Sequence, residues 1–480
     1  MNRQIVHIYT LVALLFGVLV FATSWWTVWG QDGLEENSAN RRPLLEDLRV
    51  PRGDIFAADG TLVAHSEPSG TGERRIYTRS YPEGSLFSHA IGYSFEDQRV
   101  GLEQSRNDEL TGEKNEFVSL FEELVGHERE GDDVHTNLHQ EAQRVAVDAL
   151  GTQPGAVVAL EPATGRVRVM ASAPTFDPNE WEDRSRELNQ APGAPIVNRA
   201  TQSRYPPGST MKVVTAAAAL DSGEYTPDSI VSGASPKTIG GAPLSNCCTE
   251  GSGDYGPLTL TEGLTNSVNT VWAEVGEELG PGTMLDYMEK FGFGSDPPLD
   301  YPQDQMIESG VVKKGGDLAD EDDGFDVGRV AIGQGGEEGQ TQTTPLQMAM
   351  VAAAVGNDGV LMRPRLTDRV VDKDGRVRDR IEPSEEGRVL KTESADQLQA
   401  MMESVVQSGT ATAAQIPGVA VAGKTGTAER GDGTNYAWFI SFAPADDPEV
   451  AIAVVVENTT GQGGTVAAPI AKRVLEALIG

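Results

Sequence analysis

The chain has 480 residues, more than one ordinary domain holds, so two or three domains are expected. It carries 72 acidic against 38 basic residues, a formal net charge of −34, which excludes a nucleic-acid partner because phosphate binding needs a basic face. Such an excess reads as a solvated surface rather than as an acidic binding site.

In chain order, the first element is an almost wholly apolar run from Ile5 to Trp29, long enough to span a bilayer. Trp25, Trp26 and Trp29 gather at its far end, as interfacial aromatics do. Arg3 precedes the run, while Asp32, Glu35 and Glu36 follow it, a bias that leaves the bulk of the chain outside the cell. The run exceeds an ordinary signal-peptide core and lacks a small-residue cleavage site. Residues 1–30 therefore read as a cytoplasmic stub with a retained single-pass membrane anchor.

A polar connector leads to RVPRGDIFAADGTLVAHS, where Asp59-Gly60 between short apolar runs signals a hairpin. Residues 31–150 are expected to form a small β-rich, non-catalytic pedestal, a dimerisation or partner domain, with an acidic, partly helical stretch, EKNEFVSLFEELVGHEREGDD. HQEAQRVAVDAL, residues 139–150, has helical spacing and leads into a second domain over 151–480. That domain opens on GAVVALEPATGRVRVMASAP, two strands around a turn at Pro162–Gly165. Helices are predicted from Ser209, across LTLTEGLTNSVNTVWAEVGEEL and across TTPLQMAMVAAAVGNDG. Strands return in VAVAGKTGTAE, NYAWFISFAPA and EVAIAVVVEN, and AAPIAKRVLEALI closes the chain as a helix. Strands at both ends with helices between predict an α+β domain, one antiparallel sheet flanked by helices. DLADEDDGFD reads as a surface loop.

All six histidines lie at or before residue 139. A nucleophilic serine in the second domain thus has no histidine of its own domain as base, which argues against a Ser-His-Asp triad and against histidine-ligated zinc. His135 and His139 stand four apart, but no third ligand is near, so no metal site is expected. The only cysteines, Cys247 and Cys248, are adjacent. Their Cα atoms are held about 3.8 Å apart, under the usual disulfide span of roughly 4.4–6.8 Å, so no ordinary bridge joins them.

YPPGSTMKVVTAAAAL places Ser209 where a helix should begin and Lys212 three residues on, on the same face. A lysine is a base only when neutral, and burial in this apolar turn would favour the neutral form. The serine amide at the helix start is free for a developing oxyanion. Alone, S-x-x-K is weak, since a serine opening a helix is commonly just a cap. Here Ser267-Val268-Asn269 and a single Lys424-Thr425-Gly426 follow in order, whereas the S-x-N at residues 38–40 and 105–107 precede the serine and fall outside its domain. Ser267 can relay a proton to a leaving amine, and Asn269 can hold Lys212 and a substrate amide. Lys424 and Thr425 can meet a carboxylate, Gly426 leaves room for a substrate along the strand, and the Thr427 amide can join that of Ser209 in an oxyanion hole.

With RGDIFAADGTLVA, GLEQSRNDELTG, GAVVALEPATG, SAPTFDPN, VNRA, IGQG, TTPLQMA, GVLMRP and KTGTAE in order, this motif set resembles class B penicillin-binding proteins nearly end to end. The likeness is to membrane-anchored peptidoglycan D,D-transpeptidases of the actinobacterial penicillin-binding protein A type. It implies a transpeptidase/serine β-lactamase-like fold and no cofactor. It also implies Ser209 as acylated nucleophile, Lys212 as base, Ser267 and Asn269 as the second motif, and Lys424, Thr425, Gly426 and Thr427 on the substrate. The implied reaction attacks the terminal D-Ala-D-Ala bond of a stem peptide and transfers the acyl group to a neighbouring stem. Penicillin and other β-lactams should acylate Ser209, and a SEDS-type glycan polymerase is the implied membrane partner. No long glycosyltransferase segment precedes the motifs, so a bifunctional class A enzyme is not expected. A D,D-carboxypeptidase or β-lactamase on the same fold, or a non-catalytic scaffold or β-lactam sensor, are the alternatives. A sensor would need a cytoplasmic output that the few residues before the span cannot supply.

Overall fold

The computed structural model describes residues 2–28, 48–71, 75–96, 98–112, 129–246 and 253–479. The polar connector, residues 113–128 of the acidic stretch, Trp29 and the Cys247-Cys248 pair lie outside the described residues. Helix α1 (Asn2–Val28) is unbroken and is long and apolar enough to cross a membrane, with no part of its apolar window buried against the rest of the chain. At 1.5 Å per residue it spans roughly 40 Å.

Of the short strands that follow, four share one sheet: β1 (Ile55–Phe56), β2 (Leu62–Ser69), β3 (Ile76–Ser80) and β4 (Asp133–Thr136). β1 and β2 pair antiparallel across the expected turn, where Gly60 takes φ +87° and the Asp59 carboxylate accepts the Thr61 N–H at 3.0 Å. Beneath them Glu103 is wholly buried, accepting Arg79 Nε at 2.6 Å and Arg52 Nη2 at 2.9 Å. Burial works to raise the Glu103 carboxyl, but Arg79 and Arg52 outweigh it and hold it below the ordinary carboxylate value. His135 stacks on Phe56 at 4.9 Å. His139 caps α2 (Gln140–Leu150), its Nδ1 accepting the Ala142 N–H at 3.2 Å.

The second half begins with the hairpin β5 (Gly155–Leu160) and β6 (Val167–Ala173) and runs through α3 (Lys212–Asp221) and α4 (Leu260–Thr265). α5 (Asn269–Lys290) kinks at Gly280-Pro281, and α6 (Pro345–Gly356) is capped by the Thr344 hydroxyl, which accepts the Gln347 N–H at 3.1 Å. Next come β7 (Thr367–Val371), β8 (Val377–Arg380) and α7 (Thr392–Ser408). The chain closes with β9 (Ala422–Glu429), β10 (Asn435–Ala443), β11 (Val450–Thr459) and α8 (Ala467–Ile479). The main sheet has the order β9-β10-β11-β5-β6 and is antiparallel throughout. Its central strands, GAVVAL and VAIAVVV, are continuous apolar runs with no alternation, because helices cover both faces; α6 and α8 both pack on β11.

β7 and β8 do not join that sheet. They extend the pedestal sheet to β8-β7-β4-β1-β2-β3, with Val370 facing Val134. Within this sheet, among the described residues, only the β1–β4 pair is parallel. The sequence reading did not anticipate this return of the chain.

His89 ties the two halves together. It is fully buried, its Nε2 lies 2.7 Å from the Pro195 carbonyl, and the Phe176 ring meets it edge-on. Burial pushes its imidazole down to about 4. The unfolded chain therefore takes up that proton first, and stability is lost as pH falls from about 6.5 toward 4, by roughly 1.4 kcal/mol per unit and about 3 kcal/mol in all. The difference in unfolding free energy between wild type and His89→Gln is expected to shrink between pH 7.5 and pH 4.5. A pH-independent difference in denaturant titrations would refute this.

Candidate active site

The loop before Ser209 is pinned at three points. Tyr205 and Thr343 exchange backbone hydrogen bonds at 2.9 Å each, Trp438 Nε1 donates to the Pro206 carbonyl at 3.0 Å, and the Gly208 N–H donates to the Gly333 carbonyl at 3.1 Å. Gly208, at φ +53°, lies so close to β9 that a Cβ there would sit 2.6 Å from the Thr427 carbonyl oxygen. Across the same contact, a Cβ on Gly426 would sit 2.5 Å from the Pro207 carbonyl oxygen. The serine turn and the Lys424-Thr425-Gly426 strand thus meet backbone to backbone. Gly426→Ala is expected to lower the rate of acylation by a fluorescent penicillin at least about tenfold, since an ångström-scale misplacement is enough. An unchanged rate would mean that this contact does not set the geometry.

Ser209 does not open the α-helix directly. It sits half-buried in a 3-10 turn, Gly208–Met211, and α3 starts at Lys212. Thr210 Oγ1 donating back to the Pro207 carbonyl at 2.8 Å tightens that turn. The residues from Lys212 through Leu220 are buried, and the run of alanines lets α5 pack closely.

Lys212 is buried completely, with Nζ donating to Asn269 Oδ1 at 2.6 Å, the Ser267 carbonyl at 2.8 Å and Ser267 Oγ at 3.2 Å. Lys424, equally buried, donates from the other side to Ser267 Oγ at 2.9 Å and to the Thr425 carbonyl at 3.0 Å. Ser267 is therefore the common point of two lysines from distant segments. Its backbone takes φ +57°, uncommon for serine, and is held there by its own N–H on the Leu264 carbonyl and the Val268 N–H on the Gly263 carbonyl. The Ser209 hydroxyl has no hydrogen bond to Lys212; such contacts often tighten only with substrate in place.

Sequence reasoning missed two participants. The Thr410 hydroxyl lies 2.6 Å from that of Thr425, and Gly333 receives the turn at Gly208. Gly333 stood within a recognised block, IGQG, without any sign of its contact. Thr410, on the loop after α7, offered no local signal.

Residues 155–476 match the penicillin binding protein transpeptidase domain family, and residues 52–134 match the penicillin binding protein A dimerisation domain. The chain belongs to the penicillin-binding protein transpeptidase family. This penicillin-binding protein is 33% identical over 512 residues to the peptidoglycan D,D-transpeptidase PbpA of Mycolicibacterium smegmatis, covering 100% of this chain and 99% of the relative. It is 32% identical over 507 residues to that of Mycobacterium tuberculosis, with the same coverage. Penicillin-binding protein A from M. tuberculosis, solved as a ceftriaxone acyl-enzyme complex, matches with a TM-score of 0.79 and 31% identity over 91% of this chain and 100% of that one. The D,D-transpeptidase domain of a peptidoglycan glycosyltransferase from Eggerthella lenta matches at 0.77 with 34% identity, over 89% and 98%. The penicillin-binding fold, preceded by a dimerisation domain, is the architecture the motifs implied.

Proposed function

We propose that this protein is a membrane-anchored peptidoglycan D,D-transpeptidase working through a Ser209 acyl-enzyme that β-lactams also form. The observation that carries this reading is the chain Lys212 Nζ, Ser267 Oγ, Lys424 Nζ beside the serine turn. Two ammonium groups converging on one hydroxyl in a water-excluded site repel each other, which favours one lysine giving up its proton. Lys212 is then the base that takes the proton from Ser209 Oγ as the oxygen attacks the carbonyl of the terminal D-Ala-D-Ala bond. The amides of Ser209 and Thr427 stabilise the oxyanion. Ser267 passes the proton to the departing D-Ala amine, while Asn269 orients Lys212 and the substrate amide. Lys424 and Thr425 hold the terminal carboxylate, with the peptide laid along β9 at Gly426. An amine of a second stem peptide attacks the ester, forms the cross-link and frees Ser209.

In this reading the anchor crosses the cell membrane once with the catalytic domain outside. Residues 31–150 serve as a pedestal to the transpeptidase domain of 151–480, and a SEDS-type polymerase engages anchor and pedestal. The test is to follow penicillin on the full-length protein. Release over hours supports a transpeptidase, whereas rapid consumption of penicillin would make the protein a hydrolase.

A further inference from the structure

The three pins on the loop before Ser209 all grip its backbone. A fourth grip is made by side chains alone. The buried Tyr205 donates its hydroxyl to Glu457 Oε1 at 2.8 Å, and Arg199 Nε donates to the same oxygen at 2.7 Å. Glu457 lies in none of the motif blocks, and Arg199 stood in VNRA without a role.

Both partners are mounted on the main sheet, the one that carries Lys424-Thr425-Gly426. Glu457 stands on β11, its own N–H donating to the Pro154 carbonyl at 2.7 Å. Arg199 opens the short helix Arg199–Gln202, and its N–H donates to Ser172 Oγ on β6 at 3.0 Å. Its Nη1 donates to the Ala194 carbonyl at 3.2 Å and its Nη2 to the Gly193 carbonyl. Each guanidinium nitrogen therefore has an acceptor. The planar fork cannot turn without losing one, so it fixes the carboxylate that it holds.

The strand departs from regular geometry at this contact. β10 and β11 pair through Ala437 with Val456, and again at Asn435 with Thr459. Between those pairs Glu457 and Asn458 together face Tyr436 alone, and Asn458 takes φ +53°. Such a bulge breaks the ladder and re-aims a side chain, and bulges gather beside active sites. Tyr436, opposite the bulge, packs its ring on Tyr205 at 5.2 Å, and Trp438 meets Tyr205 edge-on at 6.1 Å.

We propose that Glu457 is a positioning residue for the nucleophile: through the Tyr205 hydroxyl it sets the height of the serine turn over the sheet, and Arg199 holds Glu457 in place. The oxyanion hole demands such a link, because it joins an amide of the turn, that of Ser209, to an amide of the sheet, that of Thr427. Without the hydroxyl bond the turn still pairs with Thr343 but can rock about that pair. A small shift of the Ser209 side chain then slows attack without weakening non-covalent binding. The inference rests on the acyl-enzyme reading above.

The test uses stopped-flow mixing of the full-length protein with a fluorescent penicillin, resolving the non-covalent dissociation constant from the acylation rate constant. Tyr205→Phe keeps the ring and removes the bond, Glu457→Leu removes the acceptor, and Glu457→Gln keeps an acceptor oxygen. Tyr205→Phe and Glu457→Leu are each expected to lower the acylation rate constant about tenfold at an unchanged dissociation constant, with Glu457→Gln near wild type. Combining Tyr205→Phe with Glu457→Leu should cost no more than Tyr205→Phe alone, since both remove one contact, whereas a general loss of packing would add. If melting curves show that Glu457→Leu does not fold, Tyr205→Phe and Glu457→Gln decide. Three results overturn the inference and leave the acyl-enzyme reading intact: a wild-type rate in folded Tyr205→Phe, a loss carried by the dissociation constant, or additive losses in the double variant. Wild-type protein that is never acylated overturns both.

Discussion

A fluorescent penicillin is expected to label the full-length protein stably, Ser209→Ala not at all, and Lys212→Ala about 10²–10⁴-fold more slowly, the span that a general base contributes. The first loss removes the atom that forms the ester. The second removes the only lysine, among the described residues, whose Nζ reaches both Ser267 and Asn269. Lys212 is fully buried, so its truncation leaves a cavity and strips Asn269 of a donor. Lys212→Met keeps the volume without a titratable amine and separates these effects: it should label as slowly as the alanine variant while melting closer to wild type. Wild-type labelling of Lys212→Met would remove the lysine from the role of base, and label on Ser209→Ala would move the nucleophile elsewhere.

The second large effect lies in the pedestal. Glu103→Ala is expected to destabilise the protein by about 3–5 kcal/mol, because it strands two buried guanidiniums that share this one carboxylate. The cost comes from the charges left behind more than from the attraction lost. Replacing all three members with apolar residues of similar volume should therefore cost far less than Glu103→Ala alone. Glu187→Ala breaks an exposed pair with Arg184 and is the control, expected to change nothing measurable. Denaturant unfolding of the three variants against wild type decides it; a Glu103→Ala protein as stable as the control would show that the triad is not strained by its burial.

The sequence spoke clearly where chemistry and local pattern coincide. Lys424-Thr425-Gly426 lies on a strand, as predicted, and the apolar runs of β5 and β11 were readable as strands because two covered faces leave no polar positions. The turn at Asp59-Gly60 followed from the two residues themselves. Less could be read where a distant partner decides. Nothing near Ser267 signals its left-handed backbone, which is held by carbonyls of the preceding helix and by Lys212 from another segment. The short 3-10 turn at Ser209 depends on Thr210 and on Gly333, far along the chain. β7 and β8 carry ordinary strand residues, so their choice of sheet is fixed by pairing with β4 and not by composition.

That choice bears on how the protein is made. While the chain is being synthesised, β4 has its β1 edge available early, but its other edge stays open until residues 367–380 have emerged. An open edge is a template for wrong pairing, and closing it requires a contact distant in sequence, which is slow to form. A product truncated between the pedestal and β7 would keep that edge exposed for good, so nascent and incomplete chains should be the species most dependent on chaperones and most readily cleared by proteases.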